Sequence, residues 1–206
     1  MTILSVNKTR EPMGALRPFF VGWTRCVHFL FVKVFLMNRK TKTMAHGAMI
    51  AALYVVLTYA QNLLIPDSAT WAIQFRASEA LCILAFFTPA AVPGLTLGCL
   101  LFNLSYAGAL PLDYLVGSLA SLLATAGMWL TRKWTVRGIP VPGLLLPAVF
   151  NGLLVGWELA VYIGGGFWIN ALNVAVGEAA VMLTLGILLY RVMKKQRLDV
   201  LLFPPK

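Results

Sequence analysis

The stretch WAIQFRASEALCILAFF, residues 71–87, is apolar enough in its second half for the hydrocarbon core of a bilayer, yet its first half carries Arg76 and Glu79. A charged side chain at the centre of a bilayer costs about 2.5 to 3.5 kcal/mol on insertion scales. The two residues stand three apart, a spacing that allows them to pair along one helix face. Their presence in this segment therefore requires a mutual ion pair, a water-filled pocket or a function.

The composition of the whole chain is that of an integral membrane protein. Of its 206 residues, 60% are apolar and 12% are charged, and the mean hydropathy is +0.81. The net charge of +10 comes from Lys and Arg between apolar runs, which disfavours nucleic acid as a partner and favours anchoring at the cytoplasmic side. The three cysteines are odd in number and two lie in apolar runs, so a disulfide framework is not expected.

Apolar runs of membrane-crossing character recur along the chain. A backbone in hydrocarbon has to satisfy its own hydrogen bonds, so each run is predicted to be a helix. Thr88 followed by Pro89 predicts a helix start, and hence a tight hairpin between the second and third helices. We therefore expect an all-α integral membrane protein, a six-transmembrane-helix bundle within residues 37–195. The six predicted helices, of which the second is short, cover residues 45–65, 75–87, 89–106, 112–130, 142–163 and 167–192.

The basic residues predict how the bundle is oriented. NRKTK before the first helix, TRKWTVR between the fourth and fifth, and RVMKKQR after the sixth all fall on one side of a six-span chain. The opposite loops are nearly free of Lys and Arg, so the positive-inside rule places the basic side in the cytoplasm. The sequence thus predicts a multi-pass plasma-membrane protein with both termini in the cytoplasm and residues 196–206 as a cytoplasmic tail.

Residues 1–36 do not fit the six-span pattern. FFVGWTRCVHFLFVKVFL, residues 19–36, is interrupted by Arg25 and Lys33 and has no small-residue cleavage site, so it resembles neither a span nor a signal peptide. Two interpretations stay open for this N-terminal extension. It is an interfacial helix, or the start codon is assigned too far upstream, since MNRKTKTMAHGAMIAALY from Met37 has the form of a complete membrane-protein N terminus.

Polar residues gather at one depth of the predicted bundle. Asn151 lies seven residues before Glu158 on the same helix face, nearer the midplane, and Glu178 also lies nearer the middle. A carboxyl group without a basic neighbour is protonated, faces water or meets the donors of a ligand. We expect a polar cavity that opens outwards, and Glu158 is either a ligand contact or a structural hydrogen-bonding group. The predicted outer half of the bilayer contains Arg76, Glu79, Asn103, Glu158, Asn170 and Asn173.

Aromatic residues crowd the same end of the predicted bundle. Most of them suit an interfacial belt, but aromatic faces beside carboxylates and carboxamides also suit a flat heterocycle. Trp157 and Trp168 are the candidate stacking residues. Asp113, within PLDYLVGS, is predicted to cap the fourth helix rather than to bind a ligand.

Several kinds of chemistry have no signature in the sequence. GxxxxGK[ST], GxSxG and HExxH are all missing, and the two histidines, His28 and His46, lie away from the polar residues. We therefore expect no ATP hydrolysis, no metal site and no cofactor in this chain. From the residues alone, the open function classes include a solitary proton- or ion-coupled transporter that uses Glu158 or Glu178 as a proton carrier, and a membrane enzyme.

Small residues four apart recur in the spans, where they let helices approach closely. Most such pairs are expected to pack internally. The cluster HGAMIAA on the first helix, which contains Ala48 and Ala52, lies beside the basic end and is the best candidate for docking another membrane protein.

Six ordered motifs resemble the queuosine-precursor (QueT-type) substrate-binding subunits of energy-coupling factor (ECF) transporters over about residues 37–195. They are MAHGAMIAALYVVLT, IQFRASEAL, FFTPAAVPGLTLGCLLFNL, PLDYLVGSLASLLA, FNGLLVGWEL and FWINALNVAVGE. The resemblance implies a six-helix S-component with a pocket on the extracellular side. Its partners would be a transmembrane coupling (T) subunit and two cytoplasmic ATPases. The family's docking signature, AxxxA on the first helix, matches Ala48 and Ala52, and residues 1–36 depart from the family pattern.

The resemblance also implies a ligand class, a 7-deazaguanine such as 7-cyano- or 7-aminomethyl-7-deazaguanine, or queuine. A carboxylate can accept the paired N–H donors of the guanine edge, and carboxamides can serve O6 and the remaining ring edge. Glu158 or Glu79 would take the first role. Asn103, Asn151 or Asn173 would take the second.

Overall fold

The computed structural model describes residues 38–65 and 75–203 of the chain. Its contacts divide the chain into residues 1–42 and residues 43–206. Of the first unit only residues 38–42 are described, and they form the first turn of a helix. The predictions made for residues 1–36 lie outside the described residues.

Regular structure in the described part of the chain is helical, apart from one isolated antiparallel bridge between Val136 and Ile139. A 3₁₀ helix, Ala77–Phe86, and a π-helical segment, Met182–Gly186, lie between α-helices. The α-helices are α1 Arg39–Leu64, α2 Ala91–Ser105, α3 Asp113–Thr131, α4 Val141–Leu144, α5 Leu146–Tyr162, α6 Phe167–Val181, α7 Ile187–Lys195 and α8 Leu198–Leu202.

Four segments of the described chain are helical, long and apolar enough to cross a membrane. They are Lys40–Leu64, Asp113–Thr131, Val141–Tyr162 and Phe167–Lys195. Two shorter apolar helices, Ala77–Phe86 and Ala91–Ser105, lie between the first and second of these. The all-helical membrane character is therefore confirmed, and each predicted span has a helical counterpart. Six crossings and the side on which the termini lie stay predictions.

The stretch with Arg76 and Glu79 forms the most enclosed helix of the fold. Residues 78–86 of the 3₁₀ helix are all buried. A 3₁₀ helix rises about 2.0 Å per residue and seldom exceeds four residues, so ten residues here reach further than one α-helix of that length would. Because this helix lies within the protein, its charged end meets other side chains and not lipid.

The turn predicted at Thr88 and Pro89 between two helices is present, with a later helix start than expected. Thr88 Oγ1 accepts a hydrogen bond from the Ala90 N–H at 3.3 Å, and α2 begins at Ala91. Pro89 therefore lies in the turn before the helix and not at its first position. The Thr side chain satisfies an amide at the turn, which is the physical task of a cap.

Glycines bring the helices into contact at backbone distance. A Cβ placed on Gly94 would lie 2.7 Å from the Gly47 carbonyl oxygen, and one on Gly156 would lie 2.5 Å from Ala171 Cα. These contacts join α1 to α2 and α5 to α6. Close approach of small residues is the usual basis of helix association in membranes. By contrast, Ala48 and Ala52 face outwards from α1 and are exposed.

Gly156→Ala is expected to destabilise the protein by about 1–3 kcal/mol, because the added methyl group meets the Ala171 backbone, which cannot rotate away. The melting temperature of the detergent-solubilised variant measures this effect. Gly186→Ala is the matched control, because there the nearest atoms are 3.5 Å away and belong to side chains. A Gly156→Ala variant that melts with the wild type would contradict the close packing of α5 against α6.

Candidate functional site

Five charged side chains are buried in the described part of the protein, and each is at most 4% exposed. We call them the charged cluster. A buried charge is costly unless a partner or hydrogen bonds compensate it. The cluster therefore needs a physical explanation of its own. Its members are Arg76 before the 3₁₀ helix, Glu79 within that helix, Asp113 at the start of α3, Glu158 on α5 and Glu178 on α6.

Arg76 connects the cluster electrostatically. Its guanidinium interacts with the carboxyl groups of Glu79 and Asp113, and also with those of Glu158 and Glu178. Four carboxyl groups thus share one cation. The structure brings together Arg76, Glu79, Glu158 and Glu178. It adds Asp113.

Glu79 has both carboxylate oxygens engaged within the protein. The Tyr54 hydroxyl donates to Oε1 at 2.6 Å, and the Cys82 thiol donates to Oε2 at 3.2 Å. The mutual ion pair of Arg76 and Glu79 stays a prediction. Sequence reasoning missed Tyr54, although its spacing from Gly47 and Ala51, two small residues of the same α1 face, is a signal that could have found it.

Tyr54→Phe is expected to lower the stability of the protein by about 1–3 kcal/mol, because a buried oxygen of Glu79 loses its donor. Thermal unfolding in detergent measures the loss. Tyr59→Phe is the matched control. It removes the exposed hydrogen bond from Tyr59 to Ser105, whose hydroxyl keeps its bond to the Leu101 carbonyl. Equal melting temperatures for the two variants would show that Tyr54 does not support Glu79.

Glu158 is fully buried and chemically unsatisfied. Neither of its carboxylate oxygens has a hydrogen-bond partner within the described residues. It interacts electrostatically with the carboxyl group of Asp113 and with the guanidinium of Arg76. A carboxylate with two unused oxygens is suited to accept two parallel N–H donors from outside the protein.

Asp113 does not have the capping role predicted for it. The N-cap position of α3 is Leu112, and no side chain caps the helix there, while Asp113 is the first residue of the helix and is 4% exposed. Its carboxyl group interacts with Arg76 and Glu158. The sequence pattern alone could not distinguish a cap from an adjacent, inward-facing first-turn residue.

One asparagine contacts the cluster, a second is buried on the helix that carries Glu158, and a third has a structural role. Asn103 donates from Nδ2 to the Asp113 carbonyl at 2.9 Å, and within the described chain its Oδ1 has no partner. Asn151 is buried on α5, the helix that also carries Glu158. Asn170 donates to the Gly164 carbonyl at 2.7 Å and so fastens the glycine turn before α6. Asn173 is half-buried on α6.

The two tryptophans predicted to stack on a ligand do not face the charged cluster. Trp157 is 48% exposed and Trp168 is 76% exposed, and Trp168 packs edge-on against Phe167. Trp157 precedes Glu158 in sequence, and adjacent helical residues differ by about 100° in direction. Exposure at this level suits the interfacial belt and not contact with a buried ligand.

Within the described residues, no group of three or more His, Cys, Asp or Glu side chains has the arrangement of a metal site. Glu178 has an unpartnered oxygen, Oε2, in the same part of the chain, and it interacts electrostatically with Glu79. The cluster thus offers hydrogen-bond acceptors from two helices, α5 and α6. It is suited to bind a donor-rich organic molecule.

Comparison with known proteins identifies the family. A family model described as QueT transporter matches residues 44–195, a range that contains the entire charged cluster. Curated proteins and solved structures yield no match. The matched range covers well over half of the sequence. With its apolar helices, the protein is a membrane transport protein, and the chain belongs to the QueT transporter family.

Proposed function

We propose that this protein is the substrate-capture subunit, or S-component, of an ATP-driven ECF importer for a queuosine precursor. The ligand is a 7-deazaguanine such as 7-cyano- or 7-aminomethyl-7-deazaguanine, or queuine, bound in a pocket that opens to the outside of the plasma membrane. The observation that carries this proposal is Glu158, which is fully buried and has no hydrogen-bond partner among the described residues for either carboxylate oxygen.

Glu158 fits the guanine edge better than Glu79 does. The N1–H and the exocyclic amine of guanine are adjacent donors, and one carboxylate can accept both. Glu79 already accepts from Tyr54 and Cys82, so its oxygens are engaged. Glu158 would therefore orient the ligand, because binding supplies the two donors that its oxygens lack.

The carboxamides of Asn103 and Asn151 would form hydrogen bonds with the rest of the heterocycle. Asn103 uses its Nδ2 on the Asp113 carbonyl and keeps Oδ1 as an acceptor, so it suits a ring N–H of the ligand. Asn151 is buried on the same helix as Glu158 and would supply a donor to O6. Both roles rest on general hydrogen-bond chemistry and on burial, and Asn103 also contacts Asp113.

The partners in this proposal are a transmembrane coupling subunit and two cytoplasmic ATPases. The chain has no nucleotide-binding loop, so ATP hydrolysis would occur on partner subunits. Ala48 and Ala52 leave a small-residue face of α1 exposed, and such a face allows close approach of another membrane helix. Both termini would lie in the cytoplasm, where the basic loops meet the ATPases.

Binding of defined ligands to the purified protein tests the proposal. Mass spectrometry identifies any small molecule that co-purifies, and calorimetric titration with each 7-deazaguanine measures its affinity. We expect one ligand per chain and no uptake by liposomes that contain this chain alone. No binding of any 7-deazaguanine would refute the proposal. Uptake by the chain alone that an uncoupler abolishes would instead support a solitary proton-coupled transporter.

A further inference from the structure

The charged cluster has a large excess of acidic groups. In the described part of the chain, the buried charged side chains are one arginine and four carboxylic acids, Glu79, Asp113, Glu158 and Glu178. Arg76 can balance only one of the four. The neutral donors of a guanine edge satisfy hydrogen bonds but add no positive charge. Ionised carboxylates without a counter-charge are unfavourable when buried, so a cationic ligand would stabilise the cluster more than a neutral one.

The carboxyl groups of the cluster also interact electrostatically with each other. Asp113 interacts with Glu158, Glu79 interacts with Glu178, and Arg76 interacts with all four. The proposed function assigns Glu158 to the guanine edge. The pair of Glu79 and Glu178 is therefore the one without a role.

Glu178 provides an observation that is independent of the charge count. It is 1% exposed, and within the described residues its Oε2 has no hydrogen-bond partner. Its neighbour Glu79 is held by the Tyr54 hydroxyl and the Cys82 thiol. One carboxylate of the pair is thus fixed, and the other presents an unsatisfied oxygen in the buried cluster.

We propose that Glu178, supported by Glu79, is a subsite for a positively charged amino group of the ligand, so that the protein captures an organic cation. This inference rests on the proposed function. A primary ammonium carries three N–H donors and one positive charge, and its charge-assisted hydrogen bonds to carboxylates are stronger than neutral ones. Two carboxylates beside each other can hold such a group, because the cation removes their mutual repulsion.

Two ligands that differ in one substituent test this subsite. 7-Aminomethyl-7-deazaguanine carries an ammonium group, and 7-cyano-7-deazaguanine carries a neutral nitrile on the same ring. Calorimetric titration of the wild-type protein is expected to show at least about tenfold tighter binding of the aminomethyl compound, because only that compound contributes a charge-assisted contact. In Glu178→Gln the two compounds are expected to bind with about equal affinity. In Asp199→Asn, which alters a carboxylate outside the cluster that pairs with Lys194, the preference is expected to persist.

The outcomes separate the subsite from the proposed function. Equal or tighter binding of the nitrile by the wild-type protein would overturn the cationic subsite and leave the S-component proposal in place. A preference that survives in Glu178→Gln would overturn the assignment to Glu178. Binding of neither compound, and no binding of queuine, would refute the proposed function and the subsite together. The wild-type comparison decides between cation and neutral ligand even where the variant does not purify.

Discussion

Glu158→Gln is expected to weaken binding of the 7-deazaguanine by about 10- to 100-fold, the loss that corresponds to about 1–3 kcal/mol for a bidentate contact. Gln preserves the size of the side chain, but one acceptor oxygen becomes an NH₂ donor. That donor would face the donors of the guanine edge. Calorimetric titration of the purified variant measures the change in affinity.

A ligand analogue without the exocyclic amine is the control for this contact. On the wild-type protein, the analogue is expected to lose much of the affinity that Glu158→Gln loses. The Glu158→Gln variant is expected to bind the analogue almost as well as it binds the full ligand, because the substitution and the missing amine delete the same hydrogen bond. An affinity of Glu158→Gln equal to that of the wild type would exclude Glu158 as the acceptor.

Ala48→Leu is expected to abolish uptake and to leave ligand binding intact. Ala48 is exposed on α1, so the protein itself accommodates a larger side chain there. A Leu at this position would hold a partner helix away from the small-residue face formed with Ala52. Uptake of a radiolabelled 7-deazaguanine by cells that express the complete transporter measures coupling. Titration of the isolated variant measures binding.

Ala60→Leu is the matched control for the docking face. Ala60 is also an exposed alanine of α1, but it lies three turns further along and on a different face. Normal uptake is expected for this variant. If Ala48→Leu transports as well as Ala60→Leu does, the partner does not dock at Ala48 and Ala52.

The positions of the helices were largely predictable from hydropathy. The first predicted span, residues 45–65, corresponds to α1 Arg39–Leu64, and the fourth, residues 112–130, corresponds to α3 Asp113–Thr131. The type of helix was not predictable in two places. Residues 77–86 form a 3₁₀ helix and residues 182–186 form a π-helix. The type of helix depends on which carbonyl accepts the hydrogen bond of each amide. An apolar pattern does not encode that choice.

The apolar segments that carry the site residues were predictable, and the directions of their side chains were not. Counting from the span ends placed Glu79, Glu158 and Glu178 in the membrane-embedded part of the chain, where the structure buries them. It could not show that Trp157 turns outwards while its neighbour Glu158 turns inwards. The sequence also could not predict the partners of Glu79, because Tyr54 lies on another helix and aromatic residues are common in membrane spans.

Hydropathy is a sum over consecutive residues, so the sequence by itself determined the membrane class and the helical, apolar segments in which the carboxyl groups lie. Whether a carboxylate oxygen is satisfied depends on residues that folding brings from other helices. Only the tertiary structure therefore decided that Glu79 is held by Tyr54 and Cys82. It likewise decided that, within the described chain, Glu158 and Glu178 keep unpartnered oxygens to offer a ligand.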